Sequence, residues 1–178
     1  MITTWARRCQ RLISVLWFAC LVGGLQACHS MSQLSNEAGV ANTIETTAHF
    51  KHRVLFKTGV GNILHIYIEG DGLAWQSPAR ASKDPTPMNP TMFKLMLLDS
   101  APSVYVGRPC YFKGGFDDLI EDPECEAYWW TFGRYSEKVV NSMAEVITQV
   151  SEGVNHIVLI GHSGGGTLAT LIAEKNDK

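Results

Sequence analysis

The 178-residue sequence contains five cysteines, none of them spaced Cys-x-x-Cys. No His or Cys pair has metal-ligand spacing, which argues against a structural zinc site. Fifteen Lys and Arg face seventeen Asp and Glu, and the basic residues form no patch beyond the first residues of the chain. That argues against nucleic acid as a partner. There is no internal repeat and no low-complexity tract, which excludes solenoid and array architectures. No cofactor motif appears, so no cofactor is expected. No histidine follows Ser163, an absence that matters below. The acidic residues Asp117, Asp118, Glu121, Asp122, Glu124 and Glu126 cluster, but not with the spacing of an EF-hand loop. They read as a solvated loop, and no metal site is expected.

The N-terminus carries a processing signal. Arg7, Arg8 and Arg11 precede an apolar run from Leu12 to Val22, too short to span a bilayer comfortably as a permanent helix. Leu25-Gln26-Ala27-Cys28 then resembles a lipobox, which predicts cleavage after residue 27 and lipidation of Cys28. The alternative is an ordinary secretory signal cut near Ala27. Several acyl chains on Cys28 would hold the protein stably on a membrane. His29, rather than Asp, follows the cysteine, a pattern that resembles sorting to the outer membrane, facing the periplasm. The reading divides the chain into a signal peptide (1–27), a lipidated cysteine with a flexible tether (28–49) and one folded domain (50–178). Export also suits the cysteines. Cys9 and Cys20 leave with the signal, so Cys110 and Cys125 remain as an even pair and predict a disulfide. Two free thiols, or half of a metal site, are the alternatives. Closing such a loop would contribute about 3 kcal/mol in the chain-entropy view.

In the body of the chain, strands are expected at Phe50–Lys57, Ile63–Ile68, Ser103–Gly107 and His156–Ile160. Thr91–Leu98 reads as a short helix. The clearest helix is Ser136–Ser151, where Val139, Val140, Met143, Val146, Ile147 and Val150 make one apolar face and Ser136 is a plausible N-cap. Pro78 to Pro90 reads as irregular surface. Strands alternating with helices predict an α/β fold with a mostly parallel sheet flanked by helices.

Gly161-His162-Ser163-Gly164-Gly165 follows the apolar run His156–Ile160 and precedes the helical stretch Gly166–Ala173. A buried strand, Gly-x-Ser-x-Gly and a helix make a nucleophile elbow, which raises a serine oxygen above the sheet's carboxyl edge. The competing reading is a glycine-rich strand-to-helix turn with an incidental serine. With this motif in its context, the stretch from Phe50 to Lys178 resembles the first part of the α/β-hydrolase superfamily. The resemblance implies that Ser163 is a nucleophile acting on a small acyl substrate, with the N–H of Gly164 as one oxyanion donor. It also implies that the N–H of Asp71 or Gly72, in Glu69-Gly70-Asp71-Gly72, is the second donor. Glu69 stands where the family often has His, and a simple turn closing the strand is the other reading of that loop.

In that fold the acid and the histidine follow the serine. His29, His49, His52, His65, His156 and His162 all precede Ser163 and read as structural, with the His162 side chain pointing away from the serine. The expectation is therefore a truncated hydrolase, with its sheet open beside the elbow strand and its acid and histidine beyond Lys178. The chain alone would be inactive. A non-catalytic envelope binding module, with a pocket lined by Trp75, Trp129 and Trp130, is the second hypothesis. Esterase, thioesterase, lipase and peptidase chemistry all stay open, and the sequence does not fix the oligomeric state.

Overall fold

A computed structural model describes residues 31–113, 116 and 120–175. The signal segment and Cys28 lie outside the described residues. In chain order the elements are α1 (Met31–Glu37), β1 (Ala41–Thr46), β2 (Lys51–Lys57), β3 (Ile63–Ile68), β4 (Trp75–Ser77), β5 (Arg80–Ala81), α2 (Thr91–Leu98) and β6 (Ser103–Val106). A 3-10 turn (Ala127–Trp130), α3 (Glu137–Val150), β7 (His156–Gly161) and α4 (Gly164–Ala173) complete the set.

Five strands form one sheet in the order β1-β2-β6-β3-β7, and β4 and β5 form a small separate hairpin. β6, β3 and β7 pair in parallel, whereas β2 pairs antiparallel with both β1 and β6. Only β2 therefore runs against the others, and the sheet is mixed but mostly parallel, as the alternation of strands and helices predicts. β3 lies between β6 and β7, and its β-branched and aromatic residues suit a strand covered on both faces. Ile66 and Ile68 are fully buried and Tyr67 nearly so.

The register places Leu64, Ile66 and Ile68 level with Val104 and Val106 on one side and Ile157, Leu159 and Gly161 on the other. His52 and Val54 of β2 share that face, because Val54 pairs with Val106 and strand residues alternate. α3 covers it: His52 Nε2 lies 2.7 Å from Ser142 Oγ, and Val139, Val140, Met143, Val146 and Ile147 are buried. α4 packs on α3 and on β3. The opposite face carries His65, Tyr67 and Tyr105 and is covered by α2. Phe93 meets the Tyr105 ring edge-on at 5.8 Å, and Asp99, just past α2, accepts hydrogen bonds from Tyr67 Oη at 2.7 Å and His65 Nδ1 at 2.5 Å.

This topology prepares a crevice. The chain leaves β3 over one face to reach β6, then returns over the other face to β7 on the far side of β3. The loops after β3 and β7 therefore diverge to opposite faces. Such a switch point, outside the carboxyl ends of the strands, is where open α/β sheets bind ligands. β7 is the edge strand on that side, with Val158 42% exposed and Ile157, Leu159 and Ile160 half-buried.

Two expectations change. Residues 31–46 are not a tether: α1 buries Met31 and Ser35, and β1 pairs along its whole length with β2. β1 is polar and largely exposed, held by backbone pairing, so it leaves no apolar period to read. Arg80–Ala81, inside the proline-rich stretch, forms a strand with Trp75–Ser77. Ser136 is the N-cap residue of α3 with extended backbone, but its hydroxyl makes no capping hydrogen bond. Cys110 and Cys125 are joined in a disulfide with Cα atoms 5.3 Å apart, and among the described residues no group of acidic, His or Cys side chains could hold a metal ion.

Candidate active site

The elbow is built from close backbone approaches. A Cβ on Gly161 would lie 2.3 Å from the carbonyl oxygen of Gly165, and one on Gly165 would lie 2.2 Å from that of Ile68. Real Cβ contacts do not reach such distances, so both positions require glycine for β3, β7 and the first turn of α4 to meet. Between them the backbone of Ser163 is forced to φ +52° and ψ −122°. This region is almost exclusive to glycine and costs an ordinary residue about 1–3 kcal/mol. Strain of this kind clusters at functional sites. A Ser163→Gly variant is therefore expected to raise stability by about 1 kcal/mol, the relieved strain less the extra chain entropy of glycine. A lower urea midpoint than that of the parent would contradict this account.

Ser163 and His162 are exposed at the top of the sheet and line a cavity of about 410 Å³ together with Glu69, Gly70, Asp71, Gly72, Leu73, Pro87, Met88, Asn89 and Thr91. The structure thus brings the elbow and the loop after β3 to one crevice, at the switch point of the sheet. Gly70 is the point of contact: a Cβ there would lie 3.5 Å from Ser163 Cβ. His162 also approaches Gly70. Its Nδ1 lies 3.6 Å from that same position on Gly70, and the residue lines the cavity.

The donors of the loop are divided. The N–H of Gly70 donates to Glu69 Oε1 and that of Leu73 to the carbonyl of Pro85. The N–H groups of Asp71 and Gly72 have no partner among the described residues. Gly164 opens α4, so its N–H is one of the helix's unpaired N-terminal donors. The N–H groups of Gly164, Asp71 and Gly72 are thus without a partner among the described residues.

Glu69 has a role that the sequence did not show. It is 4% exposed, and its Oε2 accepts the Met92 N–H at 2.9 Å, in the first turn of α2. The N-cap position of α2 is Pro90, which offers no side-chain cap, so a carboxylate from the end of β3 fills that place. Burial raises the Glu69 pKa, and the hydrogen bonds from Met92 and Gly70 and the nearby His162 oppose the rise.

Asp71 is not free to act as an acid. Arg108 Nη1 donates to its Oδ1 at 2.5 Å, Tyr135 Oη donates to both carboxylate oxygens at 2.9 and 3.0 Å, and Arg134 Nε lies 3.3 Å from Oδ2. Tyr111 Oη donates to its backbone carbonyl at 2.9 Å. Burial pushes the Tyr111 phenol up to about 12, so it stays a donor. Sequence reasoning missed these four partners, because they lie far from Asp71 along the chain and share no local motif with it.

The other sequence candidates lie elsewhere. His65 pairs with Asp99 toward the amino end of β3, away from the elbow. His52 is buried under α3. The tryptophans make separate contacts. Trp130 is buried and donates to the Ser82 carbonyl, Trp129 stacks edge-on with Phe50, and Trp75 meets Phe132. None lines the cavity beside Ser163. Asp122 serves as an acceptor for the N–H groups of Lys51 and Glu124, and Glu124 pairs with Lys138. No helix among the described residues is long and apolar enough to cross a membrane.

No family profile matches the sequence, and no curated protein matches it. Among solved structures, the chain is similar to a membrane phospholipase A, described as a bacterial virulence factor, with a TM-score of 0.44 and 19% sequence identity. The similarity takes in 95% of this chain and 48% of the phospholipase, so the chain spans about half the length of that neighbour.

Proposed function

We propose that this protein is a serine hydrolase of the α/β-hydrolase type that cleaves an ester or related acyl bond. The observation that carries this reading is the backbone of Ser163, held at φ +52° on a strand-to-helix turn whose glycines admit no side chain. A fold keeps a strained serine at the mouth of a cavity when the hydroxyl is used. Ser163 Oγ attacks the acyl carbonyl and forms a covalent acyl-enzyme, and the leaving group departs with a proton. The alkoxide that develops on the carbonyl oxygen is met by the N–H of Gly164 and by that of Asp71 or Gly72. One well-aimed donor of this kind is worth about 3 kcal/mol in the transition state. A base must still take the serine proton, and no described side chain hydrogen-bonds to Ser163 Oγ.

The same proposal places the enzyme in the bacterial envelope, tethered by a lipid on Cys28 and facing the periplasm. The test of the chemistry is covalent labelling of the native protein, in envelope membranes, with a fluorophosphonate probe. Labelling is expected in the parent and absent in Ser163→Ala. A probe adduct that survives the substitution, or no adduct in the parent, would remove the assignment.

A further inference from the structure

We propose that Asp71 is a positioning residue whose carboxylate, gripped by Arg108, Arg134 and Tyr135, sets the oxyanion-binding N–H groups at their working distance from the elbow. The inference rests on the reading of Ser163 as nucleophile and adds to it the means by which two separate loops are held in register.

The first observation is where the carboxylate sits. A Cβ on Gly164 would lie 2.1 Å from Asp71 Oδ1 and 2.5 Å from Tyr135 Oη. The Asp71 side chain therefore rests directly on the residue that supplies the elbow's own donor. Its packing sets the separation between the loop after β3 and the start of α4. The second is the grip on the peptide itself. Tyr111 Oη holds the Asp71 carbonyl at 2.9 Å. In a trans peptide the next N–H points opposite to that carbonyl, so fixing the oxygen fixes the direction of the Gly72 N–H. No cis peptide occurs among the described residues.

The third is charge. A bare carboxylate beside a developing alkoxide would raise its energy. Here two guanidinium groups face one carboxylate, and Arg108 is almost wholly shielded from water, with 1% of its side chain exposed. Asp71 and Arg134 are about one-third exposed, so the Arg108 pair is the one that keeps most of its strength. The cluster presents a net positive charge beside the place where negative charge forms. An aspartate that looks wrong for an oxyanion loop thus becomes compatible with it through its partners.

The test compares Asp71→Asn and Tyr135→Phe with the parent and with Ser163→Ala in the native protein, reading the rate of fluorophosphonate labelling against probe concentration. Asp71→Asn keeps the shape and removes the charge. Tyr135→Phe removes only the hydroxyl. The expected result is a fall in the maximal labelling rate of about 100-fold for Asp71→Asn and about 10-fold for Tyr135→Phe, at an unchanged half-saturating concentration, because donors aimed at the oxyanion act in the transition state. Backbone amide exchange across residues 70–72 is expected to quicken in both. Should Asp71→Asn fail to fold, Tyr135→Phe decides alone. Parental labelling rates in the variants, with labelling still lost in Ser163→Ala, would overturn the role of Asp71 and leave the nucleophile standing. Labelling that persists in Ser163→Ala, or a parent that does not label, would remove the nucleophile and this inference with it.

Discussion

Gly165→Ala is expected to lose about 3 kcal/mol of stability or more, while Gly166→Ala, one residue along the same helix, is expected to gain about 0.5–1 kcal/mol. The difference comes from what each added methyl would meet. At Gly165 it would lie 2.2 Å from the Ile68 oxygen, 2.6 Å from the Glu69 oxygen and 2.8 Å from the Ile68 carbonyl carbon. All three are backbone atoms at the end of β3, and they cannot move aside without disturbing the pairing of Ile68 with Gly161. Overpacking usually costs about 1–3 kcal/mol, and a rigid backbone wall puts this case at the top of that range. At Gly166 the nearest atom would be the Gly161 oxygen at 3.4 Å, an ordinary contact. There the substitution only removes the conformational freedom of a helical glycine. Urea unfolding of both variants gives the signs directly. A Gly165→Ala protein as stable as its parent would mean that β3 and α4 are not in contact as described. If the elbow is also the reactive site, Gly165→Ala should lose probe labelling even where it remains folded, because Ser163 can no longer sit above the sheet edge.

The pair also shows which parts of the site were legible in the sequence. β3, α3, β7 and the elbow announce themselves because each is dominated by local pattern: an apolar run, a helical stripe, or a fixed glycine spacing. The backbone of Ser163 follows from that spacing set between an apolar strand and a helix. β1 left no trace because an exposed edge strand is held by main-chain hydrogen bonds that any polar residue can make. Glu69 reads as a departure from a family pattern, whereas in the fold it completes the N-terminus of α2. Arg108 stands beside Pro109 and Cys110 and invites attention only as the start of the disulfide loop. Its partner Asp71 lies thirty-seven positions earlier, on a loop that only the β3–β7 crevice brings near. A tie between distant loops has no periodicity and no spacing, and geometry alone reveals it.

Acidification is expected to destabilise the fold by about 3 kcal/mol between pH 6.5 and 4 through one residue, His52. Its imidazole is fully buried. Nδ1 donates to the Gly107 carbonyl at 2.9 Å, and Nε2 accepts from Ser142 Oγ at 2.7 Å, which in turn lies 2.6 Å from Thr47 Oγ1. A neutral ring, donating through Nδ1 and accepting at Nε2, has a partner for both of its nitrogens. Burial therefore lowers the His52 pKa from 6.5 to about 4, against the pull of the Gly107 carbonyl and the charges of Asp122 and Glu145. The unfolded chain takes up its proton near pH 6.5, while the folded protein waits until about 4. Above pH 6.5 neither state is protonated and the full stability is present. Between the two values only the unfolded state gains the proton, so stability falls with pH at about 1.4 kcal/mol per unit. Below pH 4 the loss is complete. The carboxylates act separately. Asp99, whose pKa is lowered chiefly by the Ala101 N–H, contributes stability that is lost only as the pH falls below the ordinary carboxylate range. Glu69, raised by burial, changes stability in the opposite sense to His52. Urea midpoints of the parent and of His52→Gln, measured from pH 7.5 to 4.5, separate these terms. The variant is expected to start less stable and to stay nearly level down to pH 5, so that the two curves converge. Parallel curves would show that the ring titrates alike in the folded and unfolded chains, and that burial does not hold it neutral.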